Sequence, residues 1–262
     1  MSKLHIFIDG TWLFKIGKAE GALASRTVES SKPFPLNFEK LKSSILNHVK
    51  AQNAACDTTG DLYYVTSIFD IPPTVDAWPE NIEDITEDNI KKTKSIVFIK
   101  TKIAENAVRA GFKSDAIYKP TLKPYMVRKL ARGDFQEKQV DASVVALLVR
   151  SAITKPDDFH CVITGDSDII PAIKVAYPEY SQNVVIATLH PDELKAENRQ
   201  SSYSYADFSF DVDPYYLQEH IVEIIHGTHP YICKNCHRAF VQTKAVPKGK
   251  MAYCPNCASK RT

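Results

Sequence analysis

The chain has 262 residues, 44% of them hydrophobic and 24% charged, and its 33 Lys and Arg against 31 Asp and Glu give a formal net charge of +2. That balance belongs to a folded globular chain with a sizeable core and excludes a natively unfolded one. No run approaches the roughly 18 uninterrupted apolar residues of a membrane span, and M-S-K-L-H lacks the apolar segment of a signal peptide, so a soluble, cytoplasmic protein without membrane contact is expected.

In chain order, residues 4–8 (L-H-I-F-I) form a short apolar run with β-branched and aromatic members, bounded by Asp9-Gly10, and read as a buried strand with Asp9 at its end. Phe38, Leu41, Ile45, Leu46 and Val49 recur at helical spacing, which predicts a helix over 37–50 with Asn37 as its cap. Residues 62–69 read as a strand. An acidic stretch over 76–88 and lysines 91, 92 and 94 follow as solvated surface, and 95–99 (S-I-V-F-I) reads as a further strand. A proline-broken cationic segment then brings Lys119, Lys123, Arg128, Lys129, Arg132 and Lys138 within twenty residues, with Tyr125 among them. A flexible basic loop here suits the screening and stacking that nucleic acid requires, and the plainer reading is a solvent-facing basic helix.

A long apolar helix is expected over 140–153, a strand over 159–164, a helix over 169–177 and a strand over 183–188. Strands alternating with helices predict parallel pairing in a three-layer, doubly wound α/β fold. In open parallel sheets the ligand crevice lies beyond the carboxyl ends of the strands. Asp9 follows the first strand there, Asp166 and Asp168 in I-T-G-D-S-D-I-I follow a later one, and Asp141 opens the long helix. Four carboxylates in one crevice repel unless a cation shares them, and hard oxygen ligands suit Mg²⁺ or Mn²⁺. The chemistry this supports is metal-assisted hydrolysis of a phosphodiester. Each acid also has a plainer reading: Asp9 as a turn, Asp141 as a residue favoured by the helix dipole, and Asp168 as the cap of the helix at Ile169, which would leave Asp166 unexplained.

I-F-I-D-G at the N-terminus, K-Q-V-D-A opening the middle helix and V-I-T-G-D-S-D-I-I-P-A-I late in the chain resemble the NYN domains, members of the PIN-like group of metal-dependent ribonucleases. The resemblance covers about residues 1–190. It implies a PIN-like sheet whose acids Asp9, Asp141, Asp166 and Asp168 hold Mg²⁺ or Mn²⁺ for RNA cleavage, one of them orienting the attacking water. Thr164, Ser167 and Lys138 are further candidates for substrate positioning. The chain departs from the family at Trp12, where relatives commonly carry Asn, and over the apolar 146–149, where many carry another acid. The alternative function is therefore a catalytically inactive RNA- or protein-binding module. A phosphatase of the haloacid dehalogenase type shares D-G-T and G-D fragments, but its nucleophile would stand two residues before Asp9, at Phe7, which cannot form an aspartyl-phosphate.

Residues 201–226 read as a polar linker followed by a closing helix over 215–226, leaving 1–200 as the catalytic domain. The remainder, 227–262, holds seven Lys or Arg and no acid, so a basic tail follows a body of 26 basic and 31 acidic residues, and RNA is the expected partner. Cys233-x-x-Cys236 and Cys254-x-x-Cys257 are separated by seventeen residues, the spacing of a four-thiolate Zn²⁺ site. The tail is thus predicted to be a small zinc ribbon whose metal is structural and supplies the folding free energy. It offers a surface to RNA, to a second copy of the chain or to another protein. Cys56 and Cys161 read as buried, unreactive thiols.

Overall fold

The computed structural model describes residues 2–71, 85–132, 138–190 and 210–260, except for the side chains of Pro124, Tyr125, Ala131 and Lys138. Most of the expected acidic stretch and the linker over 201–205 lie outside the described residues.

The first strand, β1 (Ser2–Asp9), is buried on both faces from Leu4 onward, as a continuous apolar run requires in the middle of a parallel sheet. It leads directly into α1 (Gly10–Gly17), then α2 (Phe38–Gln52), β2 (Cys56–Ser67), α3 (Glu87–Arg109), β3 (Ile117–Tyr118), α4 (Pro124–Arg132) and α5 (Lys138–Thr154). After β4 (Phe159–Ile163) a single 3₁₀ turn, Ser167–Ile169, precedes α6 (Ile170–Ala176), β5 (Val184–Thr188) and β6 (Tyr215–Tyr216). The six strands form one sheet in the order β3-β2-β1-β4-β5-β6, and all five pairings are parallel.

The order runs outward in opposite directions from the central pair β1 and β4. Right-handed crossovers in opposite directions place their helices on opposite faces. Accordingly α5 packs on α6 and covers β1, β2 and β4, whereas α2 packs on β2. The two helices bury stripes at helical spacing. Asn37 caps α2 by accepting the Lys40 N–H at 3.0 Å, and Phe38, Leu41, Ile45 and Val49 face inward. Along α5, Val140, Val144, Leu148 and Ala152 are all inaccessible to solvent.

Two expected elements differ. Residues 95–99 form no strand but the middle of α3, a helix of 23 residues whose cap, Thr86, accepts the Asn89 N–H. Four consecutive apolar residues do not separate strand from helix, and the deciding inward positions, Thr93, Lys100, Ala104 and Ala107, spread the signal over four turns. The closing helix over 215–226 is instead the edge strand β6 followed by one helical turn, α7 (Ile221–Ile224). Tyr215 is fully buried there, and its hydroxyl donates to Ser44 Oγ at 2.8 Å, so the sheet continues past the boundary expected at residue 200. Among the described residues no helix is long and apolar enough to cross a membrane.

The tail forms an antiparallel hairpin, β7 (His229–Ile232) with β8 (Ala239–Gln242), and a short helix, α8 (Pro255–Ala258). It is seated on the body. Thr27 bridges Ala239, and the Val28 N–H donates to the Ala239 carbonyl at 3.0 Å. Gly227 starts the tail at φ +130°, and a Cβ there would lie 2.4 Å from Val241.

Candidate functional site

Asp9 is the last residue of β1 and the cap of α1. Its Oδ1 accepts the N–H groups of Thr11 at 3.0 Å and Trp12 at 2.9 Å, which anchors the carboxylate at the positive end of the helix. Gly10 permits this sharp strand-to-helix transition, because a Cβ there would stand 2.7 Å from the Val65 carbonyl and 2.8 Å from the Tyr64 ring.

The parallel register sets Ile8 beside Ile163, so the residues that follow, Asp9 and Thr164, become neighbours. The Thr164 hydroxyl is buried and donates to Asp9 Oδ2 at 3.0 Å, while accepting the Asp166 N–H at 3.0 Å. Asp166 Oδ1 in turn accepts the Asp168 N–H at 3.0 Å and caps the 3₁₀ turn. The cap expected at Asp168 is absent: Asp166 caps the 3₁₀ turn that leads into α6, and α6 itself starts without a side-chain cap. A carboxylate has two oxygens, so accepting a backbone N–H with one does not by itself prevent it from serving as a metal ligand.

Asp141 completes the group from the first turn of α5, which packs against β1 and the 3₁₀ turn. Carboxylate oxygens of Asp9, Asp141 and Asp166 all lie within 4.8 Å of one another. Three of the four expected acids thus meet. Asp168 is exposed and stands outside this group. Asp9 is only 1% exposed, and burial pushes its carboxyl up to about 6; the N–H of Trp12 and the hydroxyl of Thr164 oppose that rise, and the Asp166 charge adds to it. A buried carboxyl poised near neutrality beside two more oxygen donors could hold a hard divalent cation such as Mg²⁺.

The Trp12 backbone N–H was not legible as part of the site, because any residue can supply it. Its side chain is 6% exposed and belongs to the core. The basic segment takes the helical form of its plainer reading over residues 124–132, with Val127 and Leu130 packed against Phe69 and Leu122. Lys123, Lys129 and Arg132 are exposed and Arg128 is half-buried. The Asp70 N–H donates to the Pro120 carbonyl at 3.0 Å, which starts this cationic segment at the carboxyl end of β2, on the edge of the sheet that carries Asp9. Lys138 is the first residue of α5, with its side chain outside the described atoms.

In the tail, sulfur atoms of Cys233, Cys236, Cys254 and Cys257 lie within 4.8 Å of one another, and none forms a disulfide. The Cys236 and Cys254 sulfurs are 3.8 Å apart, the edge of a tetrahedron with metal–sulfur bonds of about 2.3 Å. His237 takes φ +55°, which turns the first knuckle so that its N–H reaches the Cys233 carbonyl at 2.9 Å. The Cys254 N–H donates to Cys233 Sγ at 3.4 Å, the N–H···S pattern that favours a thiolate. The cluster could hold zinc. Cys56 and Cys161 are buried, and burial pushes both thiols well above their ordinary range, consistent with inert core positions.

The Tyr231 and Phe240 rings pack with centroids 6.1 Å apart, and Phe240 is 3% exposed, so it supports the tail and offers no face for stacking. Compared with protein-family models, with curated proteins and with solved structures, the chain gave no significant match. The sheet and the two clusters therefore define an α/β protein with a candidate hard-metal site at the sheet edge and a candidate soft-metal site in the tail.

Proposed function

We propose that this chain is a divalent-metal-dependent nuclease, an endoribonuclease of the NYN and PIN-like kind, acting in the cytoplasm. The observation that carries the reading is the meeting of Asp9, Asp141 and Asp166, drawn from three distant segments, within 4.8 Å. When bound there, Mg²⁺ or Mn²⁺ supplies charge neutralisation and Lewis acidity for phosphodiester hydrolysis. The protein's own contribution is positional. The α1 amides and Thr164 fix both oxygens of Asp9, while Asp166 is fixed by its own turn, so the donors need no reorganisation. Lys123, Lys129 and Arg132 attract the polyanion to the same edge of the sheet.

The tail, with Zn²⁺ on four thiolates, is read as a ribbon that adds cations and a second contact to RNA. A binding module without cleavage is the second reading. It is favoured by the burial of Trp12, which leaves no polar side chain at the position where the family commonly has Asn. An end-labelled RNA panel incubated with Mn²⁺, Mg²⁺ or chelator separates the two. Wild type is expected to cut only with metal, and Asp166→Asn to lose at least about 10²-fold in rate while still binding RNA. Equal cutting by both proteins, or binding without cutting by both, would remove the catalytic reading.

A further inference from the structure

A cavity lies away from the acid cluster, between α1, α3 and the segment joining α1 to α2. It measures about 490 Å³ and is walled by Leu13, Phe14, Leu36 and Ile99, with Lys18 and Lys102 at its rim. That size falls in the range of small-molecule sites, and an apolar wall with a few polar groups at one end is their usual composition. Neither the acids nor the cysteines touch it.

The rim identifies the head of the ligand. Lys18 is exposed, and Lys102 reaches Glu105 at 2.8 Å and lies 5.7 Å from the Phe98 ring centre. Both members of the Lys102 pair are about half exposed, so the pair is weak and a competing carboxylate can replace Glu105. Phe98, which also lines the cavity, is 62% exposed, a large apolar surface at its edge. One further observation concerns the floor. Gly17 lines the cavity, and a Cβ built on it meets no heavy atom within 4 Å. The last turn of α1 thus leaves open a volume that a side chain could fill.

We propose that this cavity binds a free amphiphilic anion, a molecule with an unbranched or aromatic apolar body and a single carboxylate or sulfonate head placed between Lys18 and Lys102. The site stands independently of whether the acid cluster cleaves RNA. Its test uses the full chain with 1-anilinonaphthalene-8-sulfonate as reporter and decanoate or decanol as competitor. Decanoate is expected to displace the reporter from wild type, with saturation at one site. Gly17→Leu fills the floor and is expected to weaken decanoate about tenfold or more. Phe98→Asp, at an exposed position that leaves the core untouched, is expected to do the same by placing a like charge at the mouth. The pair Lys18→Gln and Lys102→Gln should weaken decanoate about tenfold while changing decanol less than about twofold. No displacement by decanoate from wild type, equal affinity in Gly17→Leu and Phe98→Asp, or equal effects of the lysine changes on acid and alcohol would each overturn the proposal.

Discussion

Asp9 is pulled in opposite directions. Burial raises its carboxyl to about 6, and the Trp12 N–H and the Thr164 hydroxyl hold it down from going further. In the unfolded chain it titrates near 3.8, so between 3.8 and about 6 the folded state binds the extra proton. Metal-free stability must then fall as pH rises through that window, since stability declines wherever the folded state binds more protons. At about 1.4 kcal/mol per pKa unit the effect is roughly 3 kcal/mol. Asp9→Asn lacks it. Urea unfolding in chelator should therefore show Asp9→Asn gaining on wild type by that order between pH 3.5 and 7, and a pH-independent difference would contradict the assignment. His160 works the other way: burial first, then the nearby His5, lower its imidazole to about 4, so the unfolded state binds the proton between 4 and 6.5 and stability is lost as pH falls through that range. The comparison with Asp9→Asn cancels this background because His160 is common to both proteins.

At the scale of elements, the strand-to-helix transition at Gly10 is the most constrained piece of backbone around the acids. An added methyl at this position meets the Val65 carbonyl and the Tyr64 ring at under 3 Å, and neither is the free end of a flexible chain. Gly10→Ala is expected to cost about 1–3 kcal/mol by forcing β1 and β2 apart, read as a lower urea midpoint, and to weaken Mn²⁺ binding because Asp9 moves with α1. An unchanged midpoint together with unchanged Mn²⁺ affinity would show that the junction has slack. Much of this element-level organisation is legible in the residues. Leu4 to Ile8 announce a strand, the apolar stripe from Val140 announces a helix, and an acid placed at a strand's end declares which edge of a parallel sheet it joins. What is not legible is anything decided by partners far along the chain. Residues 95–99 look extended in isolation and are helical because Ala104 and Ala107 continue the buried face. Tyr215 reads as part of a helix until Ala187 is found alongside it. The exclusion of Asp168 from the acid group follows from the 3₁₀ turn Ser167–Ile169, whose direction no pattern encodes.

For the whole molecule, the tail is joined to the body through Thr27 and Val28, and Val28 also packs against the cysteine cluster. On the proposed ribbon reading, four crowded thiols on a hairpin this small gain their folding free energy from a metal. Isolated protein is expected to carry about one zinc per chain, and Cys233→Ser combined with Cys236→Ser to lose it. Hydrogen exchange should then show lost protection in the tail and at Val28, while the central strands keep theirs. Zinc retained by the double variant would sink the ribbon reading. The cysteine spacing foretells this cluster well; its seat on residues 27 and 28 had no signal in the sequence, because it depends on a backbone contact between segments more than two hundred residues apart.

The position of β1 has one more consequence. With β2 on one side and β4 on the other, it belongs to the central pair of the sheet, whereas β3 and β6 at the margins are two residues long. Spontaneous opening begins at such margins, where little is lost by letting go. The geometry of the three carboxylates should therefore survive excursions that peel the periphery, and disappear only when the molecule as a whole comes undone.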